Sequence, residues 1–155
     1  MKNMIMAVLM ALTFSQASAD NVKIRDVFRE MPDSLMPYLS LNNRLDFIDF
    51  LDSGMKAEVH NTLGGTSEMT SMADDSLTIR MSDGLLVDIL VMDTTVVMIE
   101  TFLVDSVYGE SRVHYFTTHW IPLQHPSLSE AQEQRINRLK LQNIVKRDDD
   151  LLNKS

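Results

Sequence analysis

Two carboxylates in the apolar middle of the chain are the first residues that could carry chemistry. Asp88 lies within the apolar run from Leu85 to Met92, and Glu100 lies in the run that follows it. Two carboxyl groups that meet in a sheet can divide general acid and general base work between them. A small acid–base enzyme that uses Asp88 and Glu100 is therefore one functional hypothesis.

The register of the strand pair decides whether Asp88 is buried. A two-residue turn at Asp83-Gly84 places Asp88 opposite Ile79, on a face that it shares with Leu86 and Leu90. An unpaired carboxylate there is costly. A longer turn slips the register by one residue and turns Asp88 to the solvent face. We favour the exposed position, since acids are rarely buried without a partner.

Phe116, His119 and Trp120 form the main aromatic group outside the predicted helices. If exposed, the group is a recognition patch, because tryptophan is favoured at the centres of binding surfaces. If buried, it is an aromatic plug at one end of the core. We favour the plug, while the exposed patch is the feature that a binding function would need.

The histidines and acids do not form a predicted metal site. His114 and His119 are five residues apart, so on a strand they point to opposite faces, and His125 falls in a loop. The acidic stripe of the second helix favours a solvated face, because calcium prefers oxygens from a wrapping loop; this stripe consists of Asp46, Asp49 and Asp52. We predict no metal and no cofactor. The sequence also contains no G-x-S-x-G serine elbow and no glycine-rich phosphate loop after a strand.

Two helices are predicted before the sheet that would hold these residues. Residues 23–31 place their apolar side chains on one helical face, and Pro32 ends the helix. The second helix covers about residues 43–53. Its N-cap is Asn42 or Asn43, and Gly54 suits its C-terminal end.

The middle of the chain alternates as β-strands do. The predicted strands are a weak one between Met69 and Met72, then Leu77 to Met81, Leu85 to Met92, Thr95 to Val104 and Arg112 to Thr117. Short turns join them, so the strands are antiparallel. We predict an α+β fold in which N-terminal helices pack on one face of an antiparallel meander of about four or five strands, with a C-terminal helix.

The C-terminal part follows a linker from Pro122 to Ser129. A helix over 127–147 is predicted, with a capping box from Ser129 and Gln132 or from Ser127 and Glu130. Residues 148–155 form a flexible tail. The predicted organisation is thus a single α+β domain over 20–126, followed by this helix and tail.

The first nineteen residues predict export. Lys2 precedes an apolar run that ends near Phe14 and is too short to span a bilayer, and Ala17-Ser18-Ala19 has the A-x-A form of a cleavage site. Cleavage after Ala19 leaves no cysteine at the new N-terminus, which excludes a lipoprotein. We expect a location in the periplasm or outside the cell.

Charge and cysteine content narrow the function further. The net charge of −8 becomes −9 once Lys2 is removed with the signal, and this acidity disfavours nucleic acid and anionic membrane surfaces as partners. No other segment predicts a stable membrane insertion. The chain has no cysteine, so disulfides, thiol nucleophiles and thiolate metal sites are excluded.

Two segments resemble a known family. RDVFREMPDSLMPYLSLNNRLDFIDFLDSGMKAEVHNTLGGTSEMT, from Arg25 to Thr70, is similar to the N-terminal half of the domain-of-unknown-function family 3256, and HYFTTHWIPL, from His114 to Leu123, is similar to its C-terminal strand. The family consists of small exported proteins of Bacteroidales-type bacteria. The resemblance implies export and a compact domain, and it assigns no activity and no site residues.

Three functional hypotheses result. The first is a non-enzymatic exported protein that binds an envelope protein or a small ligand, through a patch at Phe116, His119 and Trp120 or on the last helix. The second is the acid–base enzyme. The third is a carrier of a hydrophobic ligand, with a methionine-rich cavity formed by Met81, Met92 and Met98; ordinary core packing explains these methionines as well.

The export prediction can be checked by the mass of the exported chain. We expect the protein recovered from a bacterial envelope or medium to begin at Asp20. Ala19→Glu should block cleavage, because signal peptidase needs a small residue there, and should leave residues 1–19 attached. Ser18→Glu is the matched control and should be cleaved normally. An intact-mass measurement that finds the uncleaved chain in the wild type contradicts the prediction.

Overall fold

The computed structural model describes residues 22–104 and 109–152. Within these ranges, a seven-stranded antiparallel sheet is flanked by three α-helices, and each strand pairs with the next one along the chain. The elements are α1 Ile24–Arg29, α2 Leu41–Asp52, β1 Glu58–His60, β2 Thr66–Met72, β3 Ser76–Ser82, β4 Leu85–Met92, β5 Thr95–Leu103, β6 Gly109–Thr117, β7 Pro122–Leu123 and α3 Glu130–Leu152. The α+β class and the antiparallel meander are confirmed.

The strand count of four or five is wrong, because the two edge strands were not predicted. β1 has three residues and β7 has two. Neither is long enough to display the alternation by which strands are recognised. β7 also begins at Pro122, in the segment that we predicted as a linker; proline is tolerated there because the strand lies at the edge of the sheet.

The helix ends depend on caps that were only partly predicted. α2 begins at Leu41, because Ser40 is its N-cap: the Asn43 backbone N–H donates to Ser40 Oγ at 3.2 Å, and the Ser40 N–H donates to Asn43 Oδ1 at 3.1 Å. Asn43 is thus the reciprocal partner in a capping box and not the cap itself. Gly54 does follow the helix, with a φ of 68°.

The predicted capping box of α3 is confirmed. The Gln132 N–H donates to Ser129 Oγ at 3.3 Å, and the Ser129 N–H donates to Gln132 Oε1 at 2.8 Å. α3 continues to Leu152, so residues 148–152, which we predicted as part of a tail, are helical.

One face of the sheet, called the α1–α2 face here, carries the larger core. α1, α2 and a 3-10 turn at Asp33–Leu35 lie over it. The sheet contributes Leu77, Ile79, Val87, Ile89, Val96 and Met98 among other buried side chains. Removing this apolar surface from water supplies the main driving force for packing the N-terminal helices.

A buried arginine holds the connection between α1 and α2. Arg44 is 1% exposed. Its guanidinium donates to Met31 O at 2.7 Å and to Leu39 O at 3.1 Å, and it pairs with Asp33 Oδ1 at 2.9 Å. These bonds satisfy two main-chain carbonyls of the non-helical connection. Arg44 therefore fixes the path of the chain from α1 to α2.

The opposite face, called the α3 face here, carries a second core. Leu90, Met92, Val97 and Ile99 pack there with Ile136 of α3. Polar contacts also hold the first turns of α3 against the sheet. Arg135 forms a bidentate pair with Asp75 at 2.7 and 3.2 Å, and Gln132 Nε2 donates to Asp93 at 2.9 Å. β4 and β5 are thus covered on both faces.

The predicted signal over residues 1–19, its cleavage site at Ala19 and residues 153–155 of the predicted tail lie outside the described residues. Across the two described ranges, no helix combines the length and the apolar character that a membrane span requires.

The Asp75–Arg135 pair makes the docking of α3 pH-dependent. The hydrogen bond from Arg135 holds the pKa of Asp75 below its ordinary value. The pair therefore stabilises the fold above that ordinary value, and this stabilisation is lost as the pH falls through the lowered pKa. At neutral pH, Asp75→Asn should reduce the free energy of unfolding by about 0.5 kcal/mol, a small cost because both side chains are partly exposed.

Urea unfolding at neutral and at strongly acid pH checks this prediction. The difference between wild type and Asp75→Asn should vanish at the acid end. Asp74→Asn is the matched control, since Asp74 is exposed and precedes Asp75 in the chain. An equal effect of both substitutions, or a difference that persists in acid, contradicts the role of the pair.

Candidate functional site

Asp88 is buried, and the prediction that it is exposed is wrong. The turn at Asp83-Gly84 has two residues, but β3 contains a bulge between Arg80 and Ser82. The extra residue slips the register by one, so that Asp88 lies opposite Thr78 and not Ile79. Asp88 lies on the α3 face with Leu90 and Met92 of its own strand, and the slip places Leu77 and Ile79 of β3 on the opposite face. The α3 face is covered, and Asp88 is only 2% exposed.

Asp88 is accommodated by a network of polar side chains. Thr78 Oγ1 donates to Asp88 Oδ1 at 2.6 Å, and Asn143 Nδ2 of α3 donates to Asp88 Oδ2 at 2.6 Å. Asn143 Nδ2 also lies 3.3 Å from Thr101 Oγ1, which is 3.0 Å from Ser111 Oγ. Four strands and α3 are joined in this way, because Thr78, Asp88, Thr101 and Ser111 lie on successive strands.

Glu100 does not meet Asp88. The sheet register places Asp88 opposite Ile99 and Glu100 opposite Val87, so the two carboxylates project from opposite faces. They cannot act on the same substrate atom, and the pair on which the acid–base hypothesis rested does not form.

Glu100 instead contacts a histidine that lies diagonally across from it on β6, while its direct partner in the register is Arg112. His114 Nε2 lies 3.1 Å from Glu100 Oε2, on the α1–α2 face. A carboxylate can orient an imidazole for proton transfer. The cavity that Glu100 borders beside Tyr38 has a volume of only about 30 Å³, enough for one or two waters. A substrate for this pair would have to lie on open surface.

The aromatic group is a plug, which is the arrangement that we favoured. Phe116 and Trp120 are 4% and 5% exposed, and their ring centroids are 5.3 Å apart. Trp120 Nε1 donates to Val27 O of α1 at 2.8 Å. His119 is exposed, and its Nδ1 lies 4.0 Å from a carboxylate oxygen of Glu30, the residue that follows α1. The exposed patch of Phe116, His119 and Trp120 that a binding function would need is therefore not present.

Trp120 has a φ of 62°, which bulky residues rarely adopt. It lies in the four-residue connection between β6 and β7, where Thr117 N–H donates to Ile121 O at 2.9 Å. Glycine usually occupies such a left-handed turn position. We attribute the tryptophan to its packing, since the ring and the indole N–H gain contacts that offset a strain of about 1 kcal/mol.

The methionines of the carrier hypothesis do not line one cavity. Met81 and Met98 belong to the core of the α1–α2 face, whereas Met92 belongs to the core of the α3 face. The sheet separates them, and ordinary core packing accounts for all three.

A polar groove lies between α3 and strands β2 to β4; we call it the α3 groove. Its volume is about 350 Å³, within the range of small-ligand sites. The groove is lined by exposed Ser71, Arg138 and Gln142, by half-buried Ser76, Thr78, Arg135 and Leu139, and by buried Leu77, Asp88 and Leu90. Polar hydroxyls and a guanidinium thus surround an apolar floor that also contains the Asp88 network.

The two arginines of the α3 groove differ in their ion pairing. Arg135 is engaged by Asp75, while Arg138, one turn further along α3, has no ion-pair partner in the part of the chain that the structure describes. Guanidinium groups bind carboxylate and phosphate oxygens well. The groove can therefore accept a small anion at Arg138, with the hydroxyl of Ser71 as a further donor; the hydroxyls of Ser76 and Thr78 already donate to Asp75 and Asp88.

Sequence reasoning missed Arg138 and Asn143, because no motif marks them. Asn143 lies on the helical face that also carries Ile136 and Leu139, and that spacing is the signal that could have pointed to it, whereas Arg138 is exposed and lies outside that face. Among residues 22–104 and 109–152, no three histidine, aspartate or glutamate side chains converge as metal ligands.

Comparison with known proteins supports the fold and the predicted resemblance. The model of the family described as protein of unknown function (DUF3256) matches residues 15–151. A solved domain of an uncharacterized protein from Porphyromonas gingivalis W83 is similar in structure, with a TM-score of 0.54 and 20% identity, over 74% of this chain and 69% of that one. No curated protein matches the chain significantly.

The Asp88 network predicts a large cost for removing Asn143. Asn143→Ala leaves Asp88 Oδ2 buried without its donor, so the free energy of unfolding should fall by about 1–3 kcal/mol. Asn137→Ala, an exposed asparagine of the same helix, is the matched control and should be nearly neutral. Chemical unfolding followed by circular dichroism measures both, and equal stabilities of the two variants would show that the network does not support the fold.

Proposed function

This chain belongs to the DUF3256 family of proteins of unknown function, and we propose that it is a non-enzymatic, exported binding protein of the bacterial envelope whose ligand occupies the α3 groove. The observation that carries the proposal is Arg138, a guanidinium without an ion-pair partner in the described chain, beside hydroxyl groups in a groove of about 350 Å³. A binding role fits this arrangement because the groove offers a guanidinium and polar side chains as recognition groups, while the carboxylate of Asp88 is engaged by both Thr78 and Asn143.

The chemistry of the α3 groove selects the ligand class. A carboxylate or phosphate group pairs with Arg138, and the hydroxyls of Ser71, Ser76 and Thr78 are within the same lining. The side chains of Leu90 and Leu139, which lie on the α3 face, accept a short apolar portion. The ligand is therefore a small organic anion, and the groove is too small for a folded protein partner.

Export is supported by the signal-like N-terminal residues. The acidic chain, with a net charge of −8, repels nucleic acid. The guanidinium of Arg138 gives an anionic ligand a point of attraction on an otherwise acidic protein.

The Glu100–His114 pair would support the alternative function of an acid–base enzyme. Its open setting argues against it, since catalysis needs a site that positions substrate and excludes water. The two functions are separable by experiment, because Glu100 and His114 lie on the α1–α2 face and the groove lies on the α3 face.

Titration with succinate and with inorganic phosphate tests the binding proposal. We expect amide NMR shifts confined to residues that line the α3 groove, and a loss of affinity of about 10- to 100-fold in Arg138→Gln, which removes a charge-assisted hydrogen bond. Arg29→Gln on α1 is the matched control with the same charge change and should bind as the wild type does.

The outcome that contradicts the proposal is a lack of groove shifts with both probes, or equal affinities of Arg138→Gln and the wild type. Native mass spectrometry of protein isolated gently from its own envelope extends the test. A retained small-molecule mass that Arg138→Gln no longer carries identifies the natural ligand.

A further inference from the structure

The outer edge of β6 is open along most of its length. All nine residues of β6 pair with β5 without a register shift. On the other side, β7 pairs only with Tyr115 and Phe116. Within the residues that the structure describes, the edge from Gly109 to His114 has no neighbouring strand.

The alternation of β6 identifies the main-chain groups on this edge. Thr117 N–H donates to Ile121 O, and Thr117 O accepts from Trp120 N–H, so the main chain of Thr117 faces β7. Every second residue of a regular strand faces the same way. The free N–H and C=O groups along the open edge therefore belong to Gly109, Ser111 and Val113.

Natural sheets protect a long edge with proline, a bulge, charged side chains (especially lysine) or a covering segment. β1, the other edge strand, has only three residues. The open part of β6 contains no proline and no lysine, and it is regular; its two charged side chains, Glu110 and Arg112, have opposite signs, so a strand with matching charges can pair with both. It is thus suited to strand addition, in which a second strand completes the ladder.

We propose that this edge pairs with the same edge of a second copy of the chain, antiparallel about a twofold axis at Ser111. Residues whose main-chain N–H and C=O groups face the open edge must lie opposite one another in the two strands. This limits the residues through which the twofold axis can pass. With the axis at Ser111, Glu110 lies opposite Arg112 of the partner subunit, and Arg112 lies opposite Glu110 of the partner subunit. Both pairs have opposite charges.

The neighbouring registers are unfavourable. An axis at Arg112 places the two guanidiniums opposite each other, and an axis at Glu110 does the same with two carboxylates; like charges in these positions destabilise a sheet. An axis at Val113 brings Phe116, which β7 already covers, into the pairing. Charge complementarity therefore selects the Ser111 axis and favours a second copy over an unrelated peptide.

The proposed interface is isologous, as twofold dimers require. It joins two seven-stranded sheets into one continuous sheet with about six main-chain hydrogen bonds, from the central Ser111 pair and the two pairs of Gly109 with Val113. Glu110 and Arg112 are exposed in the single chain, and the Arg112 guanidinium lies 5.1 Å from the centre of the Phe102 ring. This contact limits the freedom that Arg112 loses on pairing.

Sedimentation velocity of the wild type and three charge variants tests the dimer. We expect concentration-dependent dimers of the wild type in the micromolar range, and a dissociation constant at least tenfold weaker for Glu110→Arg and for Arg112→Glu. The double variant E110R/R112E restores the opposite charges and should dimerise again. Arg29→Glu, on α1, is the matched control and should behave as the wild type does.

Three results would overturn the proposal: a wild type that stays monomeric at all concentrations, single variants that dimerise like the wild type, or a double variant that stays monomeric. Hydrogen exchange of the wild type tests the interface without relying on the folding of the variants. The amides of Gly109, Ser111 and Val113 should exchange more slowly at high than at low protein concentration. Exchange that does not depend on concentration contradicts the interface.

Discussion

The coverage of β4 and β5 on both faces is the constraint on which the rest of the structure depends. In a meander with one covered face, alternate residues of each strand face solvent. Here α1 and α2 cover one face and α3 covers the other, so β4 is buried at every position from Val87 to Met92. A polar residue in such a strand has no solvent to face. Asp88 therefore requires partners, and it finds them in Thr78 beside it and in Asn143 above it.

Features that depend on local chemistry could be predicted from the sequence. The two-residue turn at Asp83-Gly84, the Ser129–Gln132 capping box and the glycine after α2 each arise from neighbouring residues. The antiparallel order of the central strands follows from their short connections. The edge strands β1 and β7 were missed because pairing with a longer neighbour defines them, and two or three residues carry no pattern of their own.

The candidate site depends on features that the sequence does not display. The bulge in β3 adds one residue between Arg80 and Ser82, and nothing in the residue types there distinguishes it from regular strand. Its effect is to move every later partner by one position, which is why the predicted partner of Asp88 was Ile79. The pairing of Glu100 with His114 likewise depends on the register of β5 and β6, two strands whose connection gives no turn of defined length.

The position of α3 accounts for the location of the groove and separates it from the open edge of β6. One helix can cover only part of the α3 face. The part near β1 and β2 carries the paired charges Lys56, Glu58, Glu68 and Arg80. Charged side chains are costly to bury, so this part stays exposed to water. A helix that rests on β4 to β6 beside a charged, uncovered surface leaves a cleft along its open side. The α3 groove is this cleft, and Arg138 projects from the helix that forms its wall. The edge of β6 lies on the other side of α3, so a second copy that pairs there does not close the groove, and each subunit of such a dimer would keep a complete site.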